Sequence, residues 1–275
     1  MKSPVDVVAA IPSYNHAEGL DKLLPQVLEQ DYSAVFVMDD ASTDETPDIL
    51  AKYAESVKPV LGKENVGAAA NRNRILKYDL GKSALHFMDA DQQLVSQRTP
   101  ELVLDALDYE RRGAVCGLIT DSDGNMWPGN FVPPISISYY LAGGIEAGLI
   151  YPLVRRGKLS AARAVRETFY PMLRNFPDLA NEPVPRKVFS AVEGNMAIRA
   201  DQFRAVGGYD PKLRYHESQD LAYKLSRSGL DNWFEPSIKT EHPGEFSISG
   251  KELEVAKATV YLIKKYGLFR FLLAV

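Results

Sequence analysis

The first 120 residues predict a doubly wound α/β fold, and three observations carry that prediction. Short apolar runs alternate with helical periods. The helices between them are long enough to link parallel strands by right-handed crossovers. Polar clusters recur where the apolar runs end, at the sheet edge where open α/β folds bind ligands. Size agrees, since 275 residues can bury a full core as one large domain or as one domain with a lobe. At 45% apolar and 25% charged residues, the composition is that of a soluble globular chain rather than a disordered one.

The elements follow in order. Residues 5–11 are a near-continuous β-rich run, and Leu20, Leu23, Leu24, Val27 and Leu28 share a helical face within 19–30. Residues 34–38 read as a strand. Residues 43–57 read as a helix, with Asp44 and Glu45 favouring its N-terminus and Ser42 or Thr43 as its cap. The alternation continues through 59–61, 67–80, 84–88, 99–112 and 114–119. Residues 121–134, rich in Gly, Pro, Asn and Asp, interrupt it as a long loop. Residues 135–190 are mostly helical by period, broken at Pro152, Pro171, Pro177, Pro183 and Pro185, and look inserted into the α/β frame. The rhythm then returns with a strand at 195–199, a short helix from Asp201, a Gly207-Gly208 turn, a helix at 218–229 and a strand at 232–235. Four segments result: 1–120, a helical insert at 121–190, the returning half at 191–245, and an amphipathic terminal helix at 246–275.

Global properties narrow the setting. A net charge of −4 does not call for a polyanionic partner. Cys116 is the only cysteine, so no internal disulfide forms, which fits a reducing compartment or simple indifference, and its apolar neighbours make it a small core residue. The N-terminal pattern is not that of a secretory leader, and a cytoplasmic protein is expected. Residues 135–154 are long enough to span a bilayer, yet they hold Glu146, Pro152 and three glycines; a buried, interfacial or subunit-contact segment fits better. Residues 255–275 combine Lys257, Lys264, Lys265 and Arg270 with an apolar face. That pattern suits a packed terminal helix first, and a peripheral membrane contact second.

Chemistry is expected at the strand ends. Pro12-Ser13-Tyr14-Asn15-His16 follows the first strand, Asp39-Asp40-Ala41-Ser42-Thr43-Asp44 the second, and Asp89-Ala90-Asp91 the fourth. No Gly-x-Gly-x-x-Gly turn follows the first strand, which argues against a dinucleotide site. Asp89 and Asp91 are two carboxylates one residue apart, able to share a hard divalent cation and a ribose hydroxyl. Mg²⁺ or Mn²⁺ takes one or two such carboxylates and completes its shell with water and phosphate oxygens. Asp39 and Asp40 repel one another, so at least one accepts hydrogen bonds from backbone or ligand. His86, inside a strand, reads as structural.

Together these residues resemble the GT-A fold glycosyltransferases of the family 2 type, over roughly residues 5–120 and 190–245. Ile11-Pro12-Ser13-Tyr14-Asn15 resembles the family's opening strand and turn, and Asp39 to Asp44 its Asp-Asp-x-Ser-x-Asp segment. Asn65-Val66-Gly67 with Arg72-Asn73 resembles its Asn-x-Gly…Arg-Asn helix, and Asp89-Ala90-Asp91 its metal-binding Asp-x-Asp. Glu193 to Arg199 and Val206 to Asp210 resemble the core that precedes the family's acidic motif. The chain departs from the family at Glu217-Ser218-Gln219-Asp220-Leu221, where relatives show Glu-Asp-x-Asp-Leu and the second position commonly supplies the base. Serine is a poor base at neutral pH. Three readings therefore stay open: Glu217, which is favoured, Asp220, or an acceptor that needs little assistance.

The resemblance implies a GT-A type doubly wound, mostly parallel sheet and an inverting transfer from a nucleotide-diphosphate sugar, UDP-sugars being favoured, to an acceptor hydroxyl. The nucleotide-sugar would lie on Pro12, Tyr14, Asn15, Asp39, Asp40, Asn65, Arg72, Asp89 and Ala90. Mn²⁺ or Mg²⁺ would be held by Asp91 and His242, with His216 lining the acceptor side. The acceptor could be a glycan, lipid, protein or modified nucleic-acid base, met by the 121–190 insert. Two rivals remain: a binder of nucleotide-sugars without turnover, suggested by Ser218, and a sugar-phosphate nucleotidyltransferase, which the lack of a Gly-rich phosphate loop after the first strand opposes.

Overall fold

The computed structural model describes residues 6–127, 130–132, 145, 149–150, 152–153, 156–169, 183–244 and 252–267. Four strands, β1 (Val7–Ser13), β2 (Ala34–Asp39), β3 (Lys58–Leu61) and β4 (Ala84–Met88), pair in parallel in the order β3-β2-β1-β4. Strand β1 is buried throughout, and its side chains alternate between two layers. Ala9 and Ile11 meet Leu20, Leu23, Leu24 and Val27 of helix α1 (Ala17–Leu28). Val8 and Ala10 lie on the other layer with Ala69 of α3 (Ala68–Arg72) and Ile75 of the 3₁₀ turn Asn73–Lys77. Each fully buried leucine of α1 contributes about 1.5–3 kcal/mol. That burial holds a Pro25-containing helix in place although Pro25 lacks the donor an interior position normally supplies.

Helix α2 (Thr46–Lys52) starts later than expected. Asp44 accepts the Thr46 amide at 3.1 Å and fixes its start, whereas Ser42 turns back to accept the Asn15 amide at 2.8 Å. The helix predicted at 67–80 stops at Arg72 and tightens into the 3₁₀ turn. The side chain of Asn73 is committed there to Tyr209, accepting its amide and donating to its carbonyl, each at 2.8 Å.

The second half joins the sheet in the opposite sense. After β5 (Gln93–Leu94), helix α4 (Thr99–Leu107) leads into β6 (Arg112–Thr120). Strand β10 (Asn195–Arg199) then inserts antiparallel between β4 and β6, pairing Asn195 with Met88 and Met196 with Cys116. Strand β11 (Asp231–Glu241) runs parallel to β6, and β5 closes that edge. Cys116 is buried in this sheet as expected. The predicted 121–134 loop contains a tight turn and the short strand β7 (Phe131–Val132), which pairs with β9 (Ser190–Ala191); β8 (Arg186–Val188) flanks β11. Among described residues the insert holds one helix of ten residues, α5 (Leu159–Thr168); most of the apolar 135–154 segment lies outside the described residues.

Helices α6 (Ala200–Ala205), α7 (Glu217–Arg227) and α8 (Glu252–Tyr266) complete the described fold. Helix α8 packs Ala258 and Leu262 on Leu213. Lys265 bonds Asp210 at 2.6 Å and Asp220 at 2.5 Å, while Tyr266 donates to Asp220 at 2.5 Å. The described part of this helix is thus packed on the chain, and residues 268–275 of the predicted segment lie outside the described residues. Among the described residues, no helix is long and apolar enough to cross a membrane.

Candidate active site

Because β1, β2 and β4 are parallel, their carboxyl ends open on one side, and Asn195 of antiparallel β10 pairs with Met88 at the same rim. Three non-glycine residues near this rim take left-handed backbone: Asn15 (φ 52°), Ala41 (φ 62°) and His216 (φ 64°). Such residues cost about 1–3 kcal/mol each and persist only where the surroundings fix them. Hydrogen bonds do so here. Asn15 donates its amide to Ser42 Oγ and accepts the Thr43 amide at 2.7 Å, so the loops after β1 and β2 lock together. Tyr14 stays 46% exposed above them, Asn15 is exposed, and Pro12 is buried beneath.

The two adjacent aspartates are both engaged by backbone. Asp39 accepts the Ser42 amide at 3.2 Å. Asp40, only 2% exposed, accepts the amides of Val66 (3.1 Å) and Gly67 (2.8 Å) and pairs with Arg74 at 3.0 Å. Asp40 thus shapes the loop that carries exposed Asn65. Arg74, which was not singled out in the sequence, is the arginine that pairs with Asp40. Arg72 instead reaches across to Asp89 at 2.6 Å and lies 5.9 Å from the Tyr209 ring.

Around Arg72 the structure gathers an acidic pole of Asp89, Glu193 and Glu217, whose charges all raise the affinity of Arg72 for its proton. Glu193 opens a segment that carries the family resemblance, but the sequence assigned it no role. It is 8% exposed, and one of its oxygens, Oε1, is buried without a hydrogen-bond partner. Burial, reinforced by Glu217 and opposed by Arg72, pushes its carboxyl up to about 8. Burial also raises Glu217, against Arg72. Gly194 completes the wall: its carbonyl accepts the Asp89 amide at 3.1 Å, and a Cβ there would stand 2.5 Å from Gln92 Nε2 and 3.0 Å from Asp89 Oδ2.

A pH test follows for Glu193. Between its ordinary value of 4.5 and about 8, the unfolded chain releases a proton that the folded one keeps. Native stability therefore falls as pH rises through that window. Glu193→Gln is expected to raise Tm relative to the parent by an amount that grows from pH 4.5 to pH 8 and then levels, at about 2–4 °C per kcal/mol. A Tm difference that stays flat with pH would refute the buried, protonated carboxyl.

Asp91 sits on the other side of Ala90. Ala90 is buried so closely under α1 that a Cβ on Gly19 would meet its carbonyl at 2.3 Å. Asp91 Oδ2 lies 3.2 Å from His242 Nε2 and 3.9 Å from His16 Nε2, and Asp91 Oδ1 is buried with no partner. Burial pushes the Asp91 carboxyl up, but the His242 hydrogen bond and the two histidine charges outweigh it and the net direction is down. Among the described residues, no cluster of three or more His, Cys, Asp or Glu groups is set to hold a metal. Asp91 and His242 fit a cation only as a two-ligand site, whose other positions a diphosphate and water would fill.

The remaining sequence candidates separate. Glu217 opens α7 and joins the acidic pole. Asp220 does not: fully buried, it pairs with Lys224 at 3.2 Å and holds Lys265 and Tyr266 of α8. Ser218 is buried and donates to Gln219 Oε1 at 3.2 Å. His216 contacts Thr259 Oγ1 at 3.1 Å. His86 is structural as expected, held between Tyr32 and Asn195 at 2.8 Å each, and burial lowers it to about 4.

Comparison with known proteins places this arrangement. The family described as glycosyl transferase family 2 matches residues 8–146, just over half of the chain. TuaG of Bacillus subtilis (strain 168), a proposed teichuronic acid biosynthesis glycosyltransferase, is 36% identical over 87 residues, 30% of this chain and 34% of its own. WfgD of Escherichia coli, a UDP-Glc:α-D-GlcNAc-diphosphoundecaprenol β-1,3-glucosyltransferase, is 28% identical over 132 residues, 47% of this chain and 51% of its own. The matches span about a third to a half of these relatives' length. Among solved structures, the mannosyltransferase PcManGT of Pyrobaculum calidifontis, in complex with GDP-Man and Mn²⁺, aligns with a TM-score of 0.59 at 18% identity, covering 96% of this chain and 65% of that one. GalNAc-T7 with UDP, GalNAc and Mn²⁺ aligns with a TM-score of 0.63 at 15% identity, covering 96% and 48%. The chain belongs to glycosyl transferase family 2 and has the GT-A fold of a glycosyltransferase.

Proposed function

We propose that the protein transfers a sugar from a nucleoside diphosphate sugar, UDP-sugars being favoured, to an acceptor hydroxyl, with inversion and with Mn²⁺ or Mg²⁺. The observation that carries this reading is Asp91, which presents one oxygen to His242 and keeps the other buried without a partner at the end of β4. Tyr14, Asn15 and Asp39 are the groups nearest to hand for the base and ribose, on a platform fixed by Asp40 and Arg74. Asp91 and His242 would hold the cation, which supplies Lewis-acid stabilisation of charge on the departing diphosphate.

Glu217 would take the proton of the attacking hydroxyl. A carboxyl raised by burial is a better base near neutral pH than an ordinary one, provided Arg72 keeps it ionised when needed. With its carboxyl raised to about 8, Glu193 would be largely protonated at neutral pH and would leave Arg72 to Asp89 and Glu217. The acceptor, whether glycan, lipid, protein or nucleic-acid base, would approach from the side of the 121–190 insert.

The test is thermal stabilisation by UDP, GDP, CDP and dTDP, each with Mn²⁺ and with chelator. Ligand at 100 times its Kd adds roughly 2.7 kcal/mol. One diphosphate is expected to raise Tm, and to do so strongly only with Mn²⁺. Stabilisation by none of them would sink the reading. Ser218 supports a second reading, a binder without turnover: it stands where relatives carry an acid and is turned onto Gln219. Metal-dependent stabilisation without slow donor hydrolysis would favour that second reading.

A further inference from the structure

Trp127 lies outside every motif, yet it stands against the proposed metal ligand His242, with ring centroids 4.3 Å apart and planes tilted by 38°. The hairpin after β6 carries it there by design of its backbone. Asp121 Oδ1 accepts the amides of Asp123 (3.0 Å) and Asn125 (2.8 Å), and Thr120 bridges Met126. The Trp127 amide donates to Ile119 O at 2.8 Å, while its carbonyl accepts Asn130 Nδ2 at 2.7 Å. Asn130, with no exposed surface, also accepts the Ile119 amide and donates to the Ile119 carbonyl. Both polar groups of the Trp127 backbone are thus clamped to the sheet, which fixes the point from which the indole reaches the imidazole.

From this geometry we infer that Trp127 is a positioning residue that holds the His242 ring for a divalent cation. The inference rests on the metal reading above. Elsewhere on the His242 ring, Nε2 faces Asp91, and Nδ1 accepts the Gly244 amide at 3.0 Å. A ring that accepts at Nδ1 carries its hydrogen on Nε2 when neutral. Ligation through Nε2 needs the lone pair there, so the hydrogen moves to Nδ1 and the Gly244 amide can no longer donate to it. The contact that fixes the ring before the cation arrives is therefore lost when it binds, and the indole face keeps the plane of the imidazole pointed at Asp91. Groups that orient a metal-bound histidine are worth about 10- to 100-fold in metal affinity.

The experiment is Mn²⁺ binding to the full chain with saturating UDP, read as loss of the free-ion electron paramagnetic resonance signal. Trp127→Ala is expected to weaken Mn²⁺ about 10- to 100-fold, and Trp127→Phe, which keeps an aromatic face, to restore most of that loss. UDP affinity in chelator should be the same in all three proteins. A second readout needs no alanine variant. In Trp233→Phe protein, Trp127 is the only indole, and Mn²⁺ with UDP should quench its emission saturably. Equal Mn²⁺ affinity in Trp127→Ala and the parent, or no saturable quenching while the parent binds Mn²⁺, overturns the role of Trp127 and leaves the metal reading intact. No Mn²⁺ binding by the parent with UDP or GDP overturns the metal reading and this inference with it.

Discussion

Asp91→Ala is expected to remove the response of turnover to Mn²⁺ and to lower kcat by roughly 10²–10³-fold, the scale on which losing one group that stabilises transition-state charge is felt. The argument is local. Asp91 Oδ1 is buried with no hydrogen-bond partner, and Oδ2 pairs with His242 at 3.2 Å and His16 at 3.9 Å. Deleting the carboxylate therefore breaks no helix cap or core contact, and Tm in chelator should stay within a few degrees of the parent. The two measurements belong together, a metal titration of initial rate and a melting curve without metal. A variant that still gains rate from Mn²⁺ would take the cation away from Asp91; a collapsed Tm would make the carboxylate a structural one.

The second large effect is expected at Glu217. Glu217→Gln keeps shape and hydrogen-bonding capacity but removes the proton acceptor, and general-base assistance is typically worth 10²–10⁴-fold. The fall should appear in kcat, with donor KM within about twofold, because a base acts on the proton of the acceptor in the transition state and not on the bound donor. The parent's kcat should also decline toward acidic pH as the raised Glu217 carboxyl takes up its proton, and the glutamine variant should lose that limb. An unchanged rate would leave Asp220, or an acceptor that needs little base assistance. Asp220 would have to act from a buried place where Oδ1 accepts from Lys265 and Tyr266 and Oδ2 pairs with Lys224.

The donor half was legible in the sequence because its signals are local. Val7–Ser13 and Ala84–Met88 are apolar runs ended by polar clusters, and leucine spacing marks α1. Strand β10 was also found, at residues 195–199, but its antiparallel entry between β4 and β6 was not, because nothing within five residues encodes partners that lie about 80 and 110 positions away in the chain. Strand β11 was read as four residues and runs from Asp231 to Glu241. Pro236 and two register shifts against β6 obscure its alternation. At the site, composition located the acidic positions but not their partners. Which arginine serves Asp40 depends on the helix tightening at Asn73, set by a contact with Tyr209 far along the chain. Glu193 lies in a segment of the resemblance that carries no stated role, and Trp127 lies in none. Their roles come from what the fold sets beside them.

The pairing of β7 with β9 also bears on how such a protein can change its partners over time. The chain leaves β7 after Val132 and is back beside β11 at Arg186, with Val132 pairing Ser190 on the adjacent strand, so departure and return sit close together. Whatever lies between is closed at its root by rungs of the sheet. Lengthening such an excursion costs little, about 0.6 kcal/mol for each doubling. The stretch between the two strands can thus be rewritten in length and chemistry while β1 to β4, and the loops they hold, keep their register. A lineage could exchange what it modifies and leave untouched how it handles the activated sugar.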